Sequence, residues 1–312
     1  MKHLFSYSVY QKFDDLSVSL DSLKDIGCDG IELLTSHVPV NAELKRYAVS
    51  VHLPYSTDWL SAWNGKPYQM EENLAKFYMY GSDREKILDT IRNMIMFAAP
   101  LEPAHGVIHA SNIEVKELGL RTYSGDCKKV LESFAEMMNE AVSGLNGGEP
   151  PFKLVFENLW WPGLRMLDDS DFRLLEKKIE FDNWGLCLDT GHLMNTLPGI
   201  YTEDDGIDAL LKIFDGYGQD TVDAISAMHF HYSASAAYRE SFDEIPYEGG
   251  PATEHIRKMY EHITKLDQHL PFTSARCKEL IEAIQPEYVI HELPGHGHDP
   301  IQDFKQQRSL LD

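Results

Sequence analysis

Short apolar runs alternate with amphipathic stretches along the whole chain. His3–Val9, Gly30–Leu34, Tyr47–Leu53, Gly106–His109, Lys153–Glu157, Trp184–Asp189, Ala224–His229 and Tyr288–Glu292 each have the length and character of one buried strand. Between them lie segments with helical spacing. These are Leu16–Ile26 (closed by Gly27), Pro39–Arg46, Asp83–Ala99, Asp126–Leu145 (closed by Asn146-Gly147-Gly148), Asp168–Ile179, Gly206–Phe214 and Ser274–Ile284, with Pro300–Leu311 as a terminal helix. Parallel strands need a crossover, so strand-then-helix repeats signal a parallel sheet. Eight such units predict an α/β chain folded as a (β/α)8 barrel, one domain over residues 1–312, rather than an open sheet of five or six strands.

Two stretches break the rhythm and predict long loops after strands 3 and 7. Residues 54–82 carry Tyr55, Trp59, Trp63, Tyr68, Phe77, Tyr78 and Tyr80, and read as a lid or pocket wall. Residues 232–272 contain Gly249-Gly250-Pro251 and a helical segment, Glu254–Leu266. His255, His262 and His269 fall in this second insertion and are expected at its surface. His296 and His298, in a Gly-rich loop, are expected at the rim.

Polar residues gather where the apolar runs end. The list is His52, His109, Glu157, Asp189, His229 with His231, and Glu292, joined by His192 three residues after Asp189. In a barrel the C-terminal strand ends share one face, and neighbouring strands 5 to 8 would bring Glu157, Asp189, His229 and Glu292 together. Carboxylates crowded this way raise one another's pKa or bind a cation. A divalent ion (manganese, zinc, magnesium or cobalt) suits such a set. Asp189 also has the place of a cap for the turn through Thr190. His229 and His231 share a face by their period of two, so one can be a ligand and the other its support. His291 faces away from Glu292.

Composition narrows the partners. The chain has 312 residues, 43% of them hydrophobic, and a formal charge of −22. That field repels a polyanion, and Lys128–Lys129 and Lys177–Lys178 are only pairs, so no nucleic-acid partner is expected. The cysteines, Cys28, Cys127, Cys187 and Cys277, are scattered without a CxxC spacing and fit reduced thiols. Neither a signal peptide nor a membrane span is evident, so a cytoplasmic protein with no membrane partner is expected, as a homo-oligomer or a monomer.

Gly-Ile-Glu32-Leu, Val-His52-Leu-Pro-Tyr, Val-Ile-His109, Phe-Glu157-Asn, Leu-Asp189-Thr-Gly-His192, Met-His229-Phe-His231 and His-Glu292-Leu occur in this order. Together they resemble the xylose isomerase-like TIM-barrel superfamily, which includes sugar isomerases and epimerases and the endonuclease IV apurinic-site nucleases. The resemblance implies that Glu157, Asp189, His229 and Glu292 ligate the principal metal. It also implies that His52, His109 and His192 stand where the nuclease branch binds further metals. That branch carries an Asp-x-His pair after strand 7. Here the stretch from Ser241 through Asp243 has Ile245 where the histidine would stand, so the third metal site is expected to be incomplete.

The function expected from this reading is a metal-dependent sugar isomerase or epimerase. The metal would stabilise an enediolate while Glu157 and Glu292 move a proton at carbon. Trp160, Trp161 and Arg239 are candidate substrate contacts. The absence of a Gly-rich phosphate cradle or a Lys/Arg cluster in sequence points to an unphosphorylated sugar or polyol. The alternatives are a hydrolase or lyase on the same scaffold (a phosphodiesterase or a dehydratase) and a non-catalytic sugar-binding barrel.

Overall fold

Eight parallel strands close into a barrel in sequence order. They are β1 (Lys2–Ser8), β2 (Gly30–Leu34), β3 (Ala48–His52), β4 (His105–His109), β5 (Lys153–Glu157), β6 (Trp184–Asp189), β7 (Ile225–His229) and β8 (Tyr288–His291). Closure is made by β1 pairing with β8 through Lys2↔Tyr288 to Phe5↔His291. The computed structural model describes residues 1–10, 18–66, 72–294 and 299–312.

The helices are α1 (Leu60–Trp63), α2 (Glu72–Tyr78), α3 (Arg84–Ala98), α4 (Cys127–Ser143), α5 (Ser170–Lys178), α6 (Thr190–Thr196), α7 (Glu203–Phe214), α8 (Gln219–Ala224), α9 (Ala236–Ser241), α10 (Ala252–Leu266), α11 (Cys277–Ile284) and α12 (Pro300–Ser309). Their starts follow local chemistry. Asp83 and Asp126 accept the amides of Lys86 and Lys129 at 3.0 and 3.1 Å, each satisfying one orphan donor. Thr202 and Asp205 form a reciprocal capping box, so α7 begins earlier than the apolar spacing of Gly206–Phe214 suggests.

The first two crossovers differ from expectation. They are 3-10 turns, Leu20–Ile26 and Ala42–Arg46, not α-helices. The first buries only Leu20 and Leu23 and is stopped by Gly27 at φ 76. So short an apolar face cannot stabilise further turns of helix. Of the rest of that predicted helix, Val18 and Ser19 are not helical, and Leu16 and Ser17 lie outside the described residues.

Strand alternation divides the core. Leu4, Val107, Val155, Cys187, Ala227 and Ile290 fill the barrel interior. The opposite faces carry Phe5, Ile31, Val51, Ile108, Phe156, Leu188 and Met228 towards the helices, where Phe134 of α4 meets Phe156 edge-on at 5.0 Å. Both faces are covered, so a polar side chain reaches water only past a strand's C-terminal end.

Candidate metal centre

That end is where the acids and imidazoles converge. Glu157 closes β5 and Asp189 closes β6; Asn158 joins the two strands. Its side-chain amide donates to the Asp189 carbonyl at 3.0 Å and its oxygen accepts the Asp189 amide at 2.8 Å. The segment after β6, expected as a turn, is instead the helix α6. Asp189 is its cap, accepting the His192 amide on Oδ1 at 2.6 Å, while its Oδ2 lies 2.9 Å from His231 Nε2. One oxygen caps and the other faces the site.

Four groups of possible metal ligands form, with donor atoms in each lying within 4.8 Å of one another. They are Glu157, Asp189, His229 and Glu292; His52, His109 and Glu157; His192, Asp267 and His269; and His231, His269 and Glu292. Glu157 belongs to two of them. Its Oε2 is 3.1 Å from both His52 Nε2 and His109 Nε2, and its Oε1 is 3.1 Å from His229 Nδ1 and 3.3 Å from His192 Nδ1. The oxygen-and-imidazole donor set suits a borderline divalent ion such as zinc or manganese. Among the described residues no lysine or arginine pairs with these carboxylates, so only imidazolium or a bound cation can balance them.

Supporting contacts set the tautomers. His52, His192 and His269 each place Nδ1 against a backbone carbonyl, those of Leu53, Asn158 and Glu292, at 2.9, 2.9 and 3.0 Å. A proton held there leaves Nε2 facing the carboxylates. His229 is pinned the other way. Glu32, inside the barrel, lies 2.8 Å from His229 Nε2 and accepts the Ser50 hydroxyl at 2.9 Å, leaving Nδ1 for the site. Glu32 lies mid-strand rather than at the end of β2, and its part in the site is visible only in three dimensions.

Electrostatics follow from this crowding. Burial alone raises the Glu157 carboxyl, but the His229 and His109 imidazoles outweigh it and hold it well below the usual range. Burial opposes charge on His192 too, yet Asp189 and Asp267 push its pKa well above the ordinary value. His269 is pushed up to about 10 against its burial, chiefly by Asp267 and Glu292.

Asp267 and His269 correct two expectations. His269 is not a surface residue: its Nε2 is 2.6 Å from Asp267 Oδ2, and its ring stacks on His231 at 3.9 Å. The third group is not incomplete. Asp267 and His269, an acid-x-imidazole pair beyond α10 rather than at Asp243–Ile245, join His192 in it. The bridge Tyr232↔Leu270 folds the long insertion back so that His269 lands beside His231. His269 has φ 47, in the left-handed region that is uncommon outside glycine. The legible signal was the Asp-x-His spacing itself. His262 is also buried, its Nδ1 2.8 Å from the Tyr238 hydroxyl, whereas His255 is half-buried. His296 and His298 lie outside the described residues.

The predicted substrate contacts divide. Trp160 reaches the site, its ring 5.1 Å from His192, and Trp161 packs behind it at 4.7 Å. Arg239 turns from the site to α6, donating from its two terminal nitrogens to the carbonyls of Asn195 and Leu197. Of the aromatic loop, Tyr55 stacks over His109 at 4.7 Å, while Trp59 and Trp63 are buried and Phe77 points to solvent. The loop is thus mainly packed wall, and Tyr68 lies outside the described residues. His291 faces outward, buried between His3 and Gln307. Among the described residues no helix is long and apolar enough to cross a membrane.

No family model matches the chain, and no curated protein matches it in sequence. Solved structures do match over its whole length. Endonuclease IV from Thermus thermophilus aligns at TM-score 0.54 and 13% identity, covering 100% of this chain and 99% of that one. A D-tagatose 3-epimerase-like protein aligns at TM-score 0.53 and 18% identity, covering 100% and 96%. The 3-keto-D-glucoside 4-epimerase YcjR from E. coli, in apo form, aligns at TM-score 0.51 and 15% identity, covering 100% and 98%. These likenesses show the fold, a closed (β/α)8 barrel.

Proposed function

We propose that this barrel is a multinuclear metal-dependent hydrolase acting on a phosphate ester of a small molecule. One observation carries the reading: both oxygens of Glu157 are enclosed by imidazoles of separate ligand groups. A carboxylate that removes a proton from carbon needs an oxygen free to face substrate. Glu157 has the surroundings of a bridging ligand instead. Divalent ions held by these groups would polarise a phosphoryl oxygen and make water a better nucleophile near neutral pH. Glu292, whose side chain is 26% exposed while Glu157 and Asp189 are sealed, is placed to accept the proton of the attacking water. Tyr55 and Trp160 wall the approach. The resemblance to the nuclease branch supports the chemistry, and the −22 charge favours a small substrate over DNA.

The second reading is the sugar isomerase or epimerase. Glu292, half-buried beside the sealed group, favours it as a base at carbon, and two of the matched structures are an epimerase and an epimerase-like protein. Chelator-stripped protein reloaded with zinc or manganese decides between them. We expect hydrolysis of p-nitrophenyl phosphate or its diester, abolished by Glu157→Gln and weakened by Asp267→Asn. No hydrolysis, with Glu292-dependent epimerisation of a ketose, would replace the first reading by the second.

A further inference from the structure

Beside the metal centre, on the same face of the barrel, lies a cavity of about 410 Å³. It is bounded by the loops after β4, β5 and β7 and by α6. Arg121, Arg165 and Arg239 line it with Thr122, Asn195 and Trp160, and no carboxylate does. In a chain with 50 acidic and 28 basic residues this local reversal of charge is notable. Every other arginine lies within 4.0 Å of a carboxylate. Among the described residues, the three here do not.

The donors are incompletely used. Arg165 Nε and Arg239 Nε are buried and meet no hydrogen-bond partner among the described residues, and neither does the side-chain nitrogen of Asn195, which is only 4% exposed. Asn195 is held in place by Ser235, whose hydroxyl donates to its oxygen at 2.7 Å. Burying unsatisfied donors is costly unless something accepts from them. Three arginines and no carboxylate around one cavity favour an acceptor-only group, and guanidinium forks fit the paired oxygens of phosphate and carboxylate. Trp160 lines this cavity and packs edge-on to His192 at 5.1 Å, and Asn195 is one turn along α6 from His192.

We infer that the cavity binds an oxyanion, a phosphate or carboxylate group, at the non-reacting end of the substrate. Its role there rests on the hydrolase reading, but the binding does not. The sequence showed no basic cluster because the three arginines come from separate segments, the loops after β4 and β5 and the helix α9. Substrates with an anionic handle are therefore expected, against the unphosphorylated sugar or polyol anticipated from sequence.

Calorimetric titration of chelator-stripped protein with inorganic phosphate and with malonate tests this without any turnover. The expected result is saturable binding with Kd below about 1 mM, weakened roughly tenfold or more in Arg165→Gln, with an unchanged melting temperature. Binding of phosphate alone identifies a phosphate handle; binding of malonate alone, a carboxylate. Arg239→Gln serves as a second variant, read by the same titration after its fold is checked by circular dichroism. The assignment is overturned if wild-type protein binds neither anion saturably, or if Arg165→Gln binds as tightly as wild type. Such a result would leave hydrolysis at the metal centre untouched, just as inactivity of loaded enzyme would leave anion binding untouched.

Discussion

His262 shows how a single buried side chain can set the pH behaviour of the fold. It is 1% exposed, and burial lowers its pKa to about 4. The unfolded chain binds its proton near 6.5, so between these values the unfolded state carries the extra proton. Stability is therefore full above about 6.5 and falls as pH drops towards 4. His3, lowered to about 4 by burial, adds to the same slope. Urea unfolding at pH 7.5 and pH 5 should show wild type losing stability on acidification. His262→Gln should lose less over the same interval. Equal losses would remove His262 from the account.

At the scale of elements, α6 and its neighbours decide the site. A Cβ on Gly191 would lie 2.3 Å from the His231 ring, which is boxed in by Asp189 and the stacked His269. Gly191→Ala should fold, lose about 1–3 kcal/mol through overpacking, and bind less metal. Thermal unfolding and elemental analysis check both; unchanged metal content would mean that His231 has room to move. The strand ends were legible in sequence because a parallel strand buried on both faces leaves a carboxylate few reasons to be there. Glu157, Asp189, His229 and Glu292 stand where alternation and strand order put them. Asp267 and His269 were not legible as part of the site, because a long insertion delivers them and a tertiary bridge, Tyr232↔Leu270, fixes their position. The α6 helix was read as a turn because its seven residues, all but Thr196 buried, lack a polar face.

For the whole molecule, charge is the strongest constraint. A chain of −22 repels a duplex, and among its arginines only the three at the lined cavity escape pairing with carboxylates of the described residues. Fluorescence anisotropy with a labelled abasic duplex at low salt should show no binding at micromolar protein. A salt-sensitive complex in that range would restore nucleic acid as a substrate. The barrel closure was foreseeable from eight repeats of one pattern; the Arg121, Arg165 and Arg239 grouping was not, since residues so far apart in sequence meet only once the barrel closes.

Glu157 joins two ligand groups through one side chain. Two ions held by these groups would share that carboxylate and would not load independently: the first would orient the oxygens that the second needs, and the two positive charges would oppose each other. The balance of those terms would be a coupling free energy between occupancies, and it would make the centre's response to ion concentration a property of the pair. A barrel loaded this way would read metal supply as a threshold or as a graded scale according to the sign of that coupling.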